Sequence, residues 1–300
     1  MFDLLIIGAG PSGIAAALYA SHLGLSVQLI APSLGGKINW RFALDWIEPV
    51  DTVYGAQLVR TFTAELPPDI HLEDSVTEIV ASDAGHFVVT TESHGSLEAQ
   101  SLLISTGAKA RRLFVPGEDT YRLKGLSFSS VSHGSLFRGR DVALIGNNDR
   151  ALLSAMMLSR QVANIHLIAP KPQALNPHLL ERLAERGNSH IYRGWSVTRF
   201  DGDEFLRSMT LQNASGVTRE VKVDGVFVEL GLLANSELVA GLVERNNEGR
   251  IVIDADCATS RAGIFAAGDV TTAYGEQVPI AIGEGIKAAL AVSAYIAQHE

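Results

Sequence analysis

Short apolar runs, each closed by a glycine-bearing turn, recur along the chain. Leu4-Leu5-Ile6-Ile7 is the first. A run with no polar alternation reads as a strand buried on both faces, the habit of parallel sheets. It passes into Gly8-Ala9-Gly10-Pro11-Ser12-Gly13, and an alanine-rich stretch to about Leu23 then predicts a helix ended by Gly24. Ser26-Val27-Gln28-Leu29-Ile30 predicts the next strand. The same order returns later: a strand over Asp141–Ile145, a turn over Gly146–Ala151, a helix from about Leu152 to Arg160, and a strand over Asn164–Ile168. Both units close on Leu-Ile-Ala-Pro, at 29–32 and 167–170.

The first turn has the spacing of a dinucleotide-binding loop. Gly8 permits the tight turn, Gly10 lets backbone approach a pyrophosphate, and Gly13 lets helix and strand pack closely. The helix start then offers free N–H groups and a positive dipole end to phosphate. The acid that usually ends the second strand and holds the adenosine ribose is missing, because Ala31-Pro32 stands there; Ser33 offers a weaker substitute. The second turn is degraded. Asn148 occupies the place of the middle glycine, so a side chain fills the space a pyrophosphate needs, and asparagine's tolerance of positive φ lets the turn itself survive. Two strand–turn–helix–strand units predict an α/β fold with two Rossmann-like, three-layer domains.

Composition narrows the setting. The 300 residues carry 47% hydrophobic side chains, as parallel sheets buried on both faces require. No uninterrupted apolar run approaches the roughly 18–20 residues of a membrane span. Met1 leads straight into a strand, with no basic region or cleavage site, so a cytoplasmic protein without membrane attachment is expected. A net charge of −9 with no dense Lys/Arg cluster argues against nucleic acid. The one cysteine, Cys257, excludes an intrachain disulfide and reads as a small apolar filler. The histidines have no metal-ligand spacing, and no metal is expected.

Three further segments complete a pattern. They are Leu102–Ala108 with Val115-Pro116-Gly117-Glu118, then Gly225–Gly231, then Ile264-Phe265-Ala266-Ala267-Gly268-Asp269-Val270. With Gly35-Gly36-Lys37-Ile38 near the front, the order resembles the low-molecular-weight thioredoxin reductases along essentially the whole chain. The resemblance implies non-covalent FAD in a discontinuous domain, residues 1–114 and 245–300, with a second domain, 115–244, inserted in the first. It places Gly8, Gly10, Pro11, Ser12 and Gly13 at the pyrophosphate and Asp269, after Gly268, at the flavin side. Gly35, Gly36, Lys37, Trp40, Asp45, Val76, Thr106, Gly107, Ala108, Glu276, Gln277 and Val278 complete the implied cofactor contacts. Lys37 has two readings, reaching the pyrophosphate or standing in solvent, and Trp40 and Trp46 either approach the flavin or pack in a core. A helix beginning near Gln277-Val278 would aim its N-terminus at the pyrimidine end of the ring, where reduced flavin is negative. A homodimer formed through FAD domains is implied as well.

The departures from the family pattern matter more. Phe137–Val142 preserves an anchor from which counting back puts Ser129 and Ser132 on the family's two redox cysteines and His133 on its proton-transferring aspartate. A hydroxyl cannot form or exchange a disulfide. The family's His-Arg-Arg reader of the NADPH 2′-phosphate is here Ala169-Pro170-Lys171, without the guanidinium forks suited to bidentate phosphate binding. Glu276 replaces a frequent arginine, and an acid there would disfavour anionic reduced flavin. No Gly-x-Ser-x-Gly elbow supports a serine hydrolase. His133 is read either as a re-used proton carrier or as a partly exposed loop residue. Three functions stay open: an NADPH-independent flavin oxidoreductase fed by a protein donor such as ferredoxin or flavodoxin, or by a small molecule; a non-catalytic flavin-binding sensor or partner-binding module; and a second domain holding another nucleotide or a second flavin.

Overall fold

The computed structural model describes residues 1–51, 55–82, 85–171, 173 and 175–299. Two compact units divide the chain. Met1–Asn39, Val53–Lys109 and Leu233–Glu300 form the first, and Trp40–Thr52 with Ala110–Leu232 the second.

The first unit is built on a seven-stranded sheet. Phe2–Ile7 lies at its centre, parallel to Val27–Ala31 on one side and to Ser96–Ile104 on the other. Leu4 through Ile7 are buried, as a central parallel strand requires. His71–Glu73 extends the sheet beyond Val27–Ala31, and Ile264–Ala266 runs parallel beside the end of Ser96–Ile104. The strands Phe87–Thr91 and Val76–Ala81 add an antiparallel flank. Helices Pro11–His22 and Val278–His299 cover one face, sharing a core of Ala15, Ala16, Ala20, Ala288, Ala289 and Val292. By length and composition Val278–His299 could cross a membrane. Its buried Glu284 and the alanine face packed on the first helix give it a core position in this unit.

The second unit is a five-stranded parallel sheet in the order Leu126–Ser127, Gly225–Val228, Asp141–Ile145, Asn164–Ala169, Ser189–Arg193. Helices Asp149–Leu158 and Pro177–Ala184 pack on one face through Val142, Leu144, Leu152, Ala155, Leu180 and Leu183. A three-stranded antiparallel sheet from Trp195 to Lys222 covers the other through Val197, Phe200, Met209 and Leu211. The unit borders fall at 109/110 and 232/233, against the 114/115 and 244/245 expected from the sequence. The hairpin Arg41–Leu44 and Ile47–Asp51 is counted with the second unit because Phe42 and Leu44 fill the same core as Phe137 and Phe227.

A buried carboxylate ties the edge of the first sheet. Asp74 accepts hydrogen bonds from the backbone N–H of Ser75, Ser93 and His94, and its Oδ2 lies 2.6 Å from His94 Nδ1. The His94 bond, more than the backbone amides, holds the Asp74 carboxyl well below the usual carboxylate range. A carboxyl depressed in this way contributes stability that is complete above its unfolded value, about 3.9, and is lost as pH falls below that value. Asp74→Asn should therefore be less stable at pH 7 and lose stability less steeply from pH 5 downward. Urea midpoints across that range check it; equal midpoints for the two proteins at pH 7 would remove Asp74 from the supports of the fold.

Candidate functional site

The first turn is shaped for a pyrophosphate. Gly8 has φ +103°, and a Cβ on it would stand 2.5 Å from Ser105 O, so neither the conformation nor the space admits a side chain. A Cβ on Gly13 would lie 2.0 Å from Gly8 O. Gly10 differs, because the space beside it is open. It caps Pro11–His22 with no side-chain hydrogen bond, leaving first-turn amides to be met from outside. An open cradle at an uncapped helix start is what a dinucleotide's phosphates fit. Ser105 braces the turn, its Oγ donating to Gly8 O at 2.6 Å.

Around this turn the expected contacts take definite places. Gly35 N–H donates to Ala9 O, and Gly36 lies against Gly10. Lys37 Nζ reaches Asp269 Oδ2 at 2.8 Å, so the two residues assigned to opposite parts of the cofactor pair with each other. Gly268 N–H donates to Glu284 Oε2 at 2.7 Å, and Ser12 Oγ donates to Ala267 O. Thr106 and Gly107 are laced to Asn235: Thr106 Oγ1 donates to Asn235 O, Asn235 Nδ2 donates to Thr106 O, and Asn235 N–H donates to Gly107 O. Ala108 opens the short strand Ala108–Ala110. Val76 begins an antiparallel strand opposite Thr91. Gln277 O accepts the Ala281 N–H at the start of the last helix, and Val278 stands beside Gly55. Glu276 is no lone acid, for its Oε1 lies 2.8 Å from Arg250 Nη2. The expected penalty on anionic flavin is correspondingly reduced, because a paired charge has little field left to exert.

Sequence reading missed Glu284, Arg250 and Asn235. Glu284 left a signal, a single acid on the buried side of an apolar helix, and burial pushes its carboxyl above the usual range. Arg250 and Asn235 sit in loops where nothing local marks them. Trp40 and Asp45 lie in the second unit, Trp40 under the Arg122 guanidinium and Asp45 Oδ2 2.7 Å from Arg207 Nη1. Trp46 packs edge-on to Phe137 and under Arg140.

The serine segment is ordered and internal to the second unit. Ser129 caps the short helix Ser130–His133, its Oγ accepting from Ser132 N–H. The same Oγ donates to Ser132 Oγ at 3.0 Å, so the two hydroxyls face each other. Glu229 Oε1 accepts from Ser130 N–H. His133 is buried, with Nδ1 2.7 Å from Ser127 Oγ and its ring stacked on Phe42 at 4.4 Å. The partly exposed loop histidine is thus corrected: the apolar wall of Phe42 and the Ser127 hydroxyl together bury the ring. Cys257 is buried elsewhere, its thiol pushed up to about 11 by burial, which agrees with a packing role. Among the described residues no group of acids, histidines and cysteine has the geometry of a metal site.

The second turn has closed on itself. Asn148 caps Asp149–Leu158, its Oδ1 accepting from Ala151 N–H at 2.9 Å. Its φ of −139° is extended, so the turn survives by capping and not through the positive φ expected. Asn147 Oδ1 accepts from Lys171 N–H and Asp149 Oδ1 from Asn176 N–H, tying the loop after the second strand to the helix start.

Known proteins share this plan. Residues 2–285 match the family described as pyridine nucleotide-disulphide oxidoreductase. The chain belongs to that family. It is a flavin-dependent oxidoreductase whose cofactor is FAD. An alkyl hydroperoxide reductase protein of Escherichia coli (strain K12) is 34% identical over 303 residues, covering 98% of this chain and 58% of that protein. A Bacillus subtilis (strain 168) protein named NADH dehydrogenase is 30% identical over 300 residues, again covering 98% of this chain and 58% of the relative. The solved thioredoxin reductase of Streptococcus pyogenes MGAS5005 superposes with TM-score 0.87 at 29% identity, covering 99% of both chains. This flavoprotein therefore spans little more than half the length of those curated relatives and nearly all of the solved structure.

Two outcomes follow from the geometry. Gly10→Val has room within the protein, so it should fold normally yet bind FAD at least about a hundredfold more weakly, because its side chain takes the phosphate's space; circular dichroism and flavin fluorescence titration read the two effects separately. Ser129→Cys/Ser132→Cys should close a disulfide under mild oxidation, since the hydroxyl oxygens are already 3.0 Å apart. A mass loss of two hydrogens and loss of thiol titre measure it, and two thiols that stay free would mean that this serine pair lacks disulfide geometry.

Proposed function

We propose that this flavoprotein passes electrons through FAD without taking them from NAD(P)H at its second dinucleotide turn and without a dithiol at Ser129 and Ser132. Reducing equivalents come from a protein donor of the ferredoxin or flavodoxin type, or from a small molecule, and protons from solvent. The observation that carries this reading is the contrast between two helix starts. Gly10 leaves its helix uncapped, whereas Asn148 caps its own and Asp149 adds a negative charge to the first turn. A nicotinamide dinucleotide would have to displace the Asn148 cap, worth about 1 kcal/mol, and set its phosphates beside the Asp149 carboxylate. Ala169-Pro170-Lys171 offers no guanidinium to compensate.

The names of the curated relatives point towards a nicotinamide donor and a peroxide-reducing activity, and those proteins are nearly twice this length; the name of the solved neighbour, a protein of nearly this length, points towards thioredoxin reduction. The closed second turn weighs against carrying them over. It weighs equally against a second nucleotide or flavin on that turn. Association as a homodimer and a cytoplasmic setting are part of the same reading.

Anaerobic addition of NADPH, NADH and reduced ferredoxin, one at a time, tests the donor. Bleaching of the flavin absorbance should be rapid with ferredoxin and at least about a hundredfold slower with either nicotinamide. Rapid bleaching by NADPH or NADH would overturn the reading of Asn148, and bleaching by none of the three would favour a flavin-binding sensor.

A further inference from the structure

The second strand of the first unit ends at Ala31, where dinucleotide folds ordinarily place the acid that holds the adenosine ribose. An alanine methyl offers the ribose diol nothing. The adjoining strand brings a carboxylate to the same level. His71–Glu73 runs parallel to Val27–Ala31 in the register Leu29 to His71, Ile30 to Leu72 and Ala31 to Glu73. Residues level with one another in a parallel ladder project from the same face, with strands about 4.8 Å apart. Glu73 thus stands at the carboxyl end of the sheet, where open α/β sheets bind ligands, one strand away from the vacant position.

Two acids follow one another here, and only one is available. The Asp74 carboxylate is buried and committed to Ser75, Ser93 and His94. Glu73 is exposed, and among the described residues its carboxylate has no hydrogen-bond or ion-pair partner. The two strand ends are joined at this point. Asp74 N–H donates to Ala31 O, and His71 Nε2 lies 2.9 Å from the same oxygen. The Ala31–Glu73 spacing is therefore fixed by the fold.

We propose that Glu73 holds the 2′- and 3′-hydroxyls of the FAD adenosine ribose, replacing from the neighbouring strand the acid that Ala31 lacks. The assignment rests on FAD lying along the Gly8–Gly13 turn. A carboxylate accepts from both hydroxyls of a diol, and such charge-assisted bonds exceed the single neutral bond Ser33 could make.

The test compares FAD with an analogue whose adenosine half is 2′,3′-dideoxy, each titrated by fluorescence into the full chain after removal of its flavin. The wild-type chain should bind FAD about tenfold or more tighter than the analogue. Glu73→Ala should lower FAD affinity to that of the analogue and leave the analogue's own affinity unchanged. Ser33→Ala should keep the wild-type ratio. A purely structural role for Glu73 would weaken both ligands alike, so the ratio separates the two. A wild-type ratio near one, an unchanged ratio in Glu73→Ala, or a ratio lost in Ser33→Ala overturns the assignment. Failure of the wild-type chain to bind either flavin would instead remove the placement of FAD on the Gly8–Gly13 turn, and the assignment with it.

Discussion

The first turn of any helix carries amide N–H groups with no partner inside the helix, and the chain must say what satisfies them. This protein gives two answers to the same problem. At Gly10 no side chain intervenes, and the open space beside its backbone leaves the amides and the dipole of Pro11–His22 for a phosphate. At Asn148 the carboxamide accepts the amide itself, and Asp149 contributes the negative charge a ligand would otherwise bring. Much of what distinguishes the two units follows from that difference. An open helix start is a binding site held in reserve, and a capped one is a structural element already satisfied.

The serine segment extends the same logic to redox chemistry. A dithiol needs two sulfurs that meet, and the second unit has two hydroxyls in contact where the resemblance puts the thiols. Ser129 and Ser132 bond to each other, Ser130 is held by Glu229, and His133 rests between Ser127 and Phe42. Each of these contacts stabilises the segment by itself, so the site is ordered whether or not it reacts. Hydroxyls in this setting exchange protons and hydrogen bonds but no electrons. Ser130 and His133 are buried in the second unit, while Ser129 and Ser132 are half-buried beside the exposed Val131.

Much of the fold was legible because its strands are buried on both faces and therefore unbroken by polar residues. Leu4–Ile7 and Val142–Ile145 announced themselves in this way, and the glycines between strand and helix fixed the turns. The hairpin at 41–51 was not legible. Phe42 and Leu44 are apolar residues that would suit any core, and only the packing with Phe137 and Phe227 shows which one they fill. The site divides similarly. Gly8, Gly10 and Gly13 act through backbone, where spacing carries the information. Lys37–Asp269, Glu276–Arg250 and Thr106–Asn235 act across separations of 232, 26 and 129 residues, which no local pattern encodes. Asn148 was misread in its backbone, which is extended at φ −139°, because tolerance of positive φ says nothing of what a side chain does once it can cap.

The pairing of Glu276 with Arg250 shows how far a residue-by-residue substitution argument can mislead. Exchanging a basic residue for an acid before the last helix looks like a reversal of charge at the flavin. Arg250 Nη2 lies 2.8 Å from Glu276 Oε1 and its Nη1 approaches Thr271 O, so the acid has a cation of its own beside it. Both partners are largely shielded from water, where opposite charges cancel more completely than at an exposed surface. The local field then reverts to what the backbone supplies, the positive end of Val278–His299. A ring placed at that helix start, as the resemblance implies, would owe the stabilisation of its negative charge to the dipole, which the Glu276–Arg250 pair leaves in place.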